Sequence, residues 1–553
     1  MPECGARRNL TDGLMCIRRA PGGPRTPDST PPGETQPESN FTSPGVAIVN
    51  VRNTLRPIPL PLRPSPVPAS ARSLGAALVF LAGLMVPPSV AAQSPLDAPL
   101  LAAADLASGV RNFVAVDAPV VALVGVTVVD GTGAEPALNQ TVLVRNGLIE
   151  AVGPVGEVQI PAGAEVLDLP GHTVIPGLVG MHNHTFYTTS SRRAQLDVSA
   201  PRLYLASGVT TIRTTGSYHP YSEVNLKRAI EAGEAVGPRM HVTGPYLTGP
   251  TASYMTGIAT PEEARRVVGY WADEGATWFK FYTRVDRASF RAAVEEAHRR
   301  GLRFTGHLCS VSFTEAVEFG IDNLEHGFFT NTDWDPSKTP DECPAGALGR
   351  LADVDIESAE VTATLRAMVA AGVPMTSTLA VYELGLPNRP PVEDRFREMV
   401  APEFLEDYLA TRRQIDERGA DGNAWSAVWD NALAFERRFH EMGGVLAAGV
   451  DPTGIGGALP GFGDQRNYEL LLEVGLTPVD AIRVMTLNGA AVLGEDHAYG
   501  SVEVGKRADL VVIAGDPVAE PASIRNVHMV FRDGVGYDPE RLLASVRGQV
   551  GVR

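Results

Sequence analysis

Cysteine is nearly absent from this sequence. There are four in 553 residues, and two of them, Cys4 and Cys16, lie in a leader that does not read as folded protein. Cysteine can therefore supply at most one bridge to the rest, between Cys309 and Cys343. In an oxidising compartment these two pair; the plainer alternative is one small core thiol and one loop thiol. Positive charge is also short. A net charge of −17 excludes nucleic acid and anionic membrane surfaces as partners, because both need a basic face. Residues 1–92 carry nine Arg against five acids, so the remainder sits at −21. No apolar run is long enough to cross ~30 Å of hydrocarbon. Nor does a glycine-rich phosphate loop precede the mixed region, which argues against a doubly wound nucleotide-binding sheet.

What is present is globular in kind, with 44% hydrophobic and 20% charged residues. Residues 1–70 are a Pro- and Ser-rich leader without apolar period and read as disordered. Residues 71–92 read as a secretory signal peptide: Arg72, an apolar stretch over 74–86, then the small residues Val90-Ala91-Ala92. The expectation is an exported protein, periplasmic or extracellular, with no stable membrane span after cleavage. Because a signal peptide normally begins a chain, residues 1–66 read as an over-extended start, with Val67 as the alternative first residue.

Behind the leader the chain divides by pattern. Residues 118–172 and 496–537 are strand-rich, with Asn146-Gly147 and Asp533-Gly534 as hairpin signals. They predict a small β-sandwich built from both flanks. Residues 173–495 alternate short apolar runs, the first over 173–180, with helices. Thr260-Pro261-Glu262-Glu263 starts one helix, and Thr477-Pro478 starts another. Eight such β-α units predict an α/β fold with a (β/α)8 TIM-like barrel. The insertion 383–442 is polar, aromatic and helical, and fits a lid. The loop 454–461 is glycine-rich but does not open a βαβ unit, so it reads as a flexible active-site loop.

Six residues of metal-ligand type fall at the ends of the predicted strands: His182, His184, Lys280, His307, His326 and Asp451. In a barrel those ends converge on one face. Residues two apart in a strand point the same way, so His182-Asn183-His184 aims both rings at one place. A lone strand-end histidine is usually a hydrogen-bonded rim residue, and the other histidines take that default, with a reservation for His219 and His241. Lys280 is different. It sits among aromatics in Trp278-Phe279-Lys280-Phe281-Tyr282, where a buried ammonium is costly. A lysine neutral by desolvation can add carbon dioxide to become a two-oxygen, anionic carbamate.

On these motifs the chain resembles the amidohydrolase superfamily, in its imidazolonepropionase-like and prolidase-like branch. The resemblance runs over about 118–536 and rests on Val174-Ile175-Pro176-Gly177-Leu178 before the His-x-His pair, on Lys280 and His307, and on Glu325-His326-Gly327 and Gly449-Val450-Asp451. It implies that His182, His184 and Asp451 hold the more buried of two divalent ions, that His307 and His326 hold the more exposed one, and that carboxylated Lys280 bridges them. Imidazole and carboxylate donors suit zinc. The ions would generate hydroxide near neutrality, with Asp451 as the catalytic base that passes a proton to the leaving amine. Prolidase-like relatives carry Tyr three residues after the strand-six histidine, where it helps hold the substrate carboxylate. Here that residue is Phe329.

His241, Tyr246, Tyr282, Arg284 and Asn331 are the candidate substrate contacts. Three functional classes follow: a binuclear hydrolase of amides such as dipeptides or N-acyl amino acids, with lactone or ester hydrolysis as a variant; a mononuclear deaminase or cyclic-amidine hydrolase, which does not need Lys280; and a non-catalytic binding protein, disfavoured because no ligand is missing. The partner expected is a small amide or peptide. The sequence leaves homo-oligomerisation open.

Overall fold

The computed structural model describes residues 94–250 and 255–552. The expected leader and signal peptide, with Cys4, Cys16 and Val67, lie outside the described residues. Among the described residues no helix is long and apolar enough to cross a membrane.

Parallel strands succeed one another in chain order: Leu178–Asn183, Val209–Thr214, then Arg239–His241 with Thr243–Thr248, Trp278–Phe281, Arg303–Gly306, Asn323–Glu325, Met375–Ser377 and Leu446–Ala448. A break at Val242 divides the third strand, so the pairing falls into two sheets. The last strand returns to the first. The Asp451 N–H donates to the His182 carbonyl at 2.8 Å, and a Cβ on Gly449 would lie 2.1 Å from the His182 nitrogen, so only glycine permits this approach.

The helices between strands form where their signals predicted. Thr260 caps Pro261–Glu274 through the Glu263 N–H, and Asp286 caps Arg287–Arg299 through that of Ser289. The latter buries Phe290, Val294 and Ala297 against the strands. The insertion forms Asp394–Met399, Pro402–Arg418 and Ala424–Glu441.

The two flanks share hydrogen bonds as one nine-stranded sheet, joining Val120–Val128 and His172–Pro176 to Leu510–Ala514 and Val527–Arg532. One apolar cluster, including Leu123, Val174, Leu510 and Phe531, fills it. Two details differ from the sequence reading. The flank sheet is continuous in its pairing rather than two sheets, and it also takes in Val114–Val116. The apolar run 173–180 is not one strand. Its first part belongs to the flank sheet, and the chain then passes through Gly177, where a Cβ would lie 2.1 Å from the Thr210 hydroxyl, before entering Leu178–Asn183.

Candidate metal centre

All six predicted donors gather at the C-terminal ends of the parallel strands. His182 and His184 are fully buried, Lys280 is 1% exposed, His326 2% and Asp451 7%. His307 is half-buried. One ligand atom each from His182, His326 and Asp451 lie within 4.8 Å of one another. The Lys280 Nζ stands 3.0 Å from the His182 Nε2, and Asp451 lies 3.3 Å from the His184 Nε2.

Each imidazole is oriented in the same sense. The Nδ1 of His182 is 2.7 Å from a Glu325 oxygen, that of His184 is 3.1 Å from the Gly216 carbonyl, that of His307 is 3.3 Å from the Leu308 carbonyl, and that of His326 is 2.7 Å from the Thr378 hydroxyl. For His182, His184 and His307 a carboxylate or carbonyl at Nδ1 fixes the tautomer that leaves Nε2 as a lone-pair donor, the usual support of a metal-binding histidine, and the Thr378 hydroxyl can accept from His326 in the same way. Nε2 of His326 is buried and has no hydrogen-bond partner, an arrangement that costs ~1–3 kcal/mol unless something accepts that lone pair. His326 and Asp451 also adopt left-handed backbone at φ 68° and 44°, a strain of the kind that collects at functional sites. The donor set fits divalent cations.

Charge tells the same story. Burial, and then Lys280, lower the His182 pKa; burial brings His184 and His307 to about 4 and His326 well below its ordinary value. The rings are therefore neutral, which is the ligating form. Burial lowers Lys280 to about 8, which leaves part of it as free amine near neutrality. Burial alone would raise the Asp451 carboxyl; with the imidazoles neutral, the ammonium form of Lys280 is the charge that opposes burial and keeps this carboxylate ionised.

Behind the donors stands Glu325, fully buried, which the sequence reading did not single out. It accepts from Arg213, from the Thr305 hydroxyl and from Asn323 Nδ2 at 2.8 Å, besides its contact with His182. Burial pushes this carboxyl up, yet Arg213 and then His182 bring it to about 2.

The donors open into a cavity of about 890 Å³, whose lining includes Lys280, His307, His326 and Asp451. Tyr246 and Tyr282 line it as expected, and the Tyr246 hydroxyl lies 3.3 Å from the His184 Nε2. Gly454 and Ile455 bring the glycine-rich loop to its wall. Three expected contacts are not brought there. His241 lies at the start of its strand and faces Glu495 at 3.1 Å. Arg284 is exposed outside the lining, and Asn331 is buried with its oxygen accepting from the Asp333 N–H at 2.8 Å. Phe329 stacks on Tyr382 with centroids 4.0 Å apart. Cys309 and Cys343 are bridged, which ties the segment after His307 to the loop that carries Cys343.

Neutral imidazoles, a depressed lysine and an ionised aspartate at one cavity floor define a metal-dependent hydrolytic centre. The chain belongs to the amidohydrolase family, whose model matches residues 173–535. Within it the chain is similar to the imidazolonepropionase of Geobacillus kaustophilus, at 25% identity over 430 residues, covering 68% of this chain and 83% of that one. Among solved structures it is similar to a bottromycin amidohydrolase (TM-score 0.60, 21% identity, 82% of this chain and 94% of that one) and to a Xaa-Pro dipeptidase with bound methionine in its active site (TM-score 0.57, 19% identity, 76% and 100%). The family makes it an enzyme acting on carbon–nitrogen bonds, of the imidazolonepropionase-like and prolidase-like branch, and the solved structures imply a TIM-like barrel with a flanking domain.

Proposed function

We propose that the protein hydrolyses the amide of a dipeptide or N-acyl amino acid with two zinc ions, which N6-carboxylated Lys280 would help to hold. The observation that carries this is Lys280 itself. It is buried, partly neutral, and 3.0 Å from a ligand nitrogen, a position that a cyclic-amidine hydrolase with one ion does not require. His182, His184 and Asp451 would hold one ion, and His307 and His326 the other. Bound there, the ions supply an ionisable water near neutrality and polarise the scissile carbonyl. Asp451, kept ionised by its neighbours, is the base that takes a proton at the cavity floor and returns it to the departing nitrogen. Glu325 holds the His182 ring in the ligating tautomer.

The test is a hydrolysis screen of the zinc-loaded protein against dipeptides, N-acyl amino acids and lactones, together with metal counting. Two ions per chain, with one lost in Lys280→Ala, support the reading. One ion per chain, unchanged in that variant, overturns it. We infer further that the protein is exported; the Cys309–Cys343 bridge supports this, since disulfides persist in oxidising compartments. Amino-terminal sequencing of the mature protein tests it.

A further inference from the structure

The cavity has two unlike walls. One is polar and runs through Thr188, Thr189, Ser190, Ser191, Arg192 and Arg193. The other comes from 381–425 and presents Tyr382, Leu384, Ile415 and Trp425, together with the charged Arg418 and Asp421. Amide hydrolysis by itself needs no aromatic face, yet this one is built with care at each ring. Trp425 stands in the first turn of the helix Ala424–Glu441. The Asn423 side chain accepts from the Trp425 N–H at 2.9 Å and the Ser426 N–H at 3.2 Å, and its amide donates to the Gly385 carbonyl at 2.9 Å. A Cβ on Gly385 would come within 2.5 Å of the indole, so the ring lies directly on backbone that only glycine leaves open. Tyr382 follows at 5.4 Å and 39° from Trp425, with Phe329 stacked on it at 13°. Tyr382 and the ring of His326 meet at right angles, 5.4 Å apart at 89°. A fixed aromatic face thus begins at a metal-ligand imidazole and runs outward along one wall.

We propose that Tyr382 and Trp425 form a subsite for a flat aromatic group next to the scissile amide, making aryl-bearing amides the preferred substrates. This rests on the amide-hydrolase reading above. The physical basis is that a planar ring laid on Tyr382 and Trp425 buries apolar area on both partners and gains offset or edge-to-face contact. Because the rings are already held by Asn423, Gly385 and Phe329, little ordering entropy opposes the contact. The polar segment 188–193 joins this insertion directly, through Ser191 to Asp407 at 2.8 Å and Ser190 to Thr411 at 2.8 Å.

Binding is read on the zinc-loaded Asp451→Asn chain, which holds substrate without turnover. The probes are N-benzoylglycine, N-acetyl-L-phenylalanine and N-acetylglycine, measured by calorimetric titration. At least one aryl probe should bind about tenfold or more tightly than N-acetylglycine, and which one does so tells whether the ring lies on the acyl or the amine side. Adding Trp425→Leu should bring the Kd values within about threefold, whereas Trp425→Phe should keep the preference. If Trp425→Leu does not fold, Tyr382→Leu gives the same comparison. Equal affinities without the wall substitution, or a preference that survives Trp425→Leu, overturn the subsite. Aryl-selective binding with no amide turnover by the unsubstituted enzyme keeps the subsite and sinks the hydrolase reading. Turnover with no aryl preference sinks the subsite alone.

Discussion

Both ends of the parallel strands carry a buried cluster of charges, and the two are built to opposite rules. At the N-terminal ends Arg239, 2% exposed, donates to Thr211 at 2.9 Å and to Asp509 and Asp533 at 2.7 Å each. Arg507 adds a second cation on Asp533 at 2.9 Å, and the Asp533 N–H closes back on Asp509 at 2.8 Å. Beside it His241 meets Glu495, which also accepts from the Tyr499 hydroxyl at 2.6 Å. At the C-terminal ends the groups are supported from behind by Glu325, Gly216 and Thr378, but in front their lone pairs point at one another. A buried ionic cluster that satisfies itself is a clasp; one that leaves His326 unsatisfied in front is a site.

The sharpest way to break this contrast is Asp451→Asn. The amide keeps a ligating oxygen but cannot take the proton, so turnover should fall by about a thousandfold or more while most of the metal stays bound. Rates and metal content measured on the same sample decide it. Turnover close to that of the unsubstituted enzyme would reduce the C-terminal cluster to a structural one.

Next in size is Arg239→Met, which should destabilise the fold by about 3–5 kcal/mol by leaving Asp509 buried without its cation and Asp533 with Arg507 in place of two. The remaining folded protein should keep its kcat, because no atom of this cluster lines the cavity. The pH dependence has a definite sign. Burial pushes Asp533 up, but Arg239 and its neighbours hold it at about 2, below its ordinary 3.8. The folded state thus binds this proton more weakly than the unfolded one. The stabilisation is present above about pH 4 and is lost as pH falls towards 2. Urea titrations of both proteins at pH 7 and pH 3 should show their difference shrinking at the lower value. A constant difference would mean that the clasp is not electrostatic.

A smaller effect is expected of Glu325→Gln, which keeps the shape behind His182 but removes the charge that fixes its tautomer. Metal affinity should weaken by about 10–100-fold, the usual loss when the group behind a ligand is changed. Competition with a chelator of known affinity measures it, and an unchanged affinity would show that Arg213 and Thr305, not the ligand, are what Glu325 serves.

The same contrast explains what could be seen in the sequence. The six donors were legible because histidine and strand-buried lysine are scarce and each sits where an apolar run stops. Tyr246 and His241 lie on one interrupted strand, and residue type does not tell which end of it each will reach. Five residues at ~3.3 Å per step set them on opposite sides of the core, so one lines the cavity and the other joins the clasp. Glu325 was hidden among 64 acids, and only packing shows that its strand is buried on both faces. Trp425 could not be placed at all, because its position depends on how a helix of the insertion docks on Gly385. The flank sheet was legible from its hairpins, but its continuity depends on pairings between His172–Pro176 and Leu510–Ala514, hundreds of residues apart.

The smallest expected effect concerns a buried acid that belongs to neither cluster. Glu436, on the helix Ala424–Glu441, lies against Gly327 behind the site, and its Oε2 has no partner. Burial raises this carboxyl from 4.5 to about 8. The sign is opposite to that of Asp533: the folded state binds the proton more tightly, so the group contributes fully below about pH 4.5 and its contribution fades as pH rises towards 8. The protein should therefore lose on the order of 1–2 kcal/mol of this contribution between pH 6 and pH 8. In Glu436→Gln the amide needs no proton, and that part of the slope should vanish, leaving the variant the more stable of the two at pH 8. Denaturant midpoints at both pH values measure it. Parallel pH profiles for the two proteins would mean that Glu436 is already ionised in the folded state and finds a cation or water that offsets its burial.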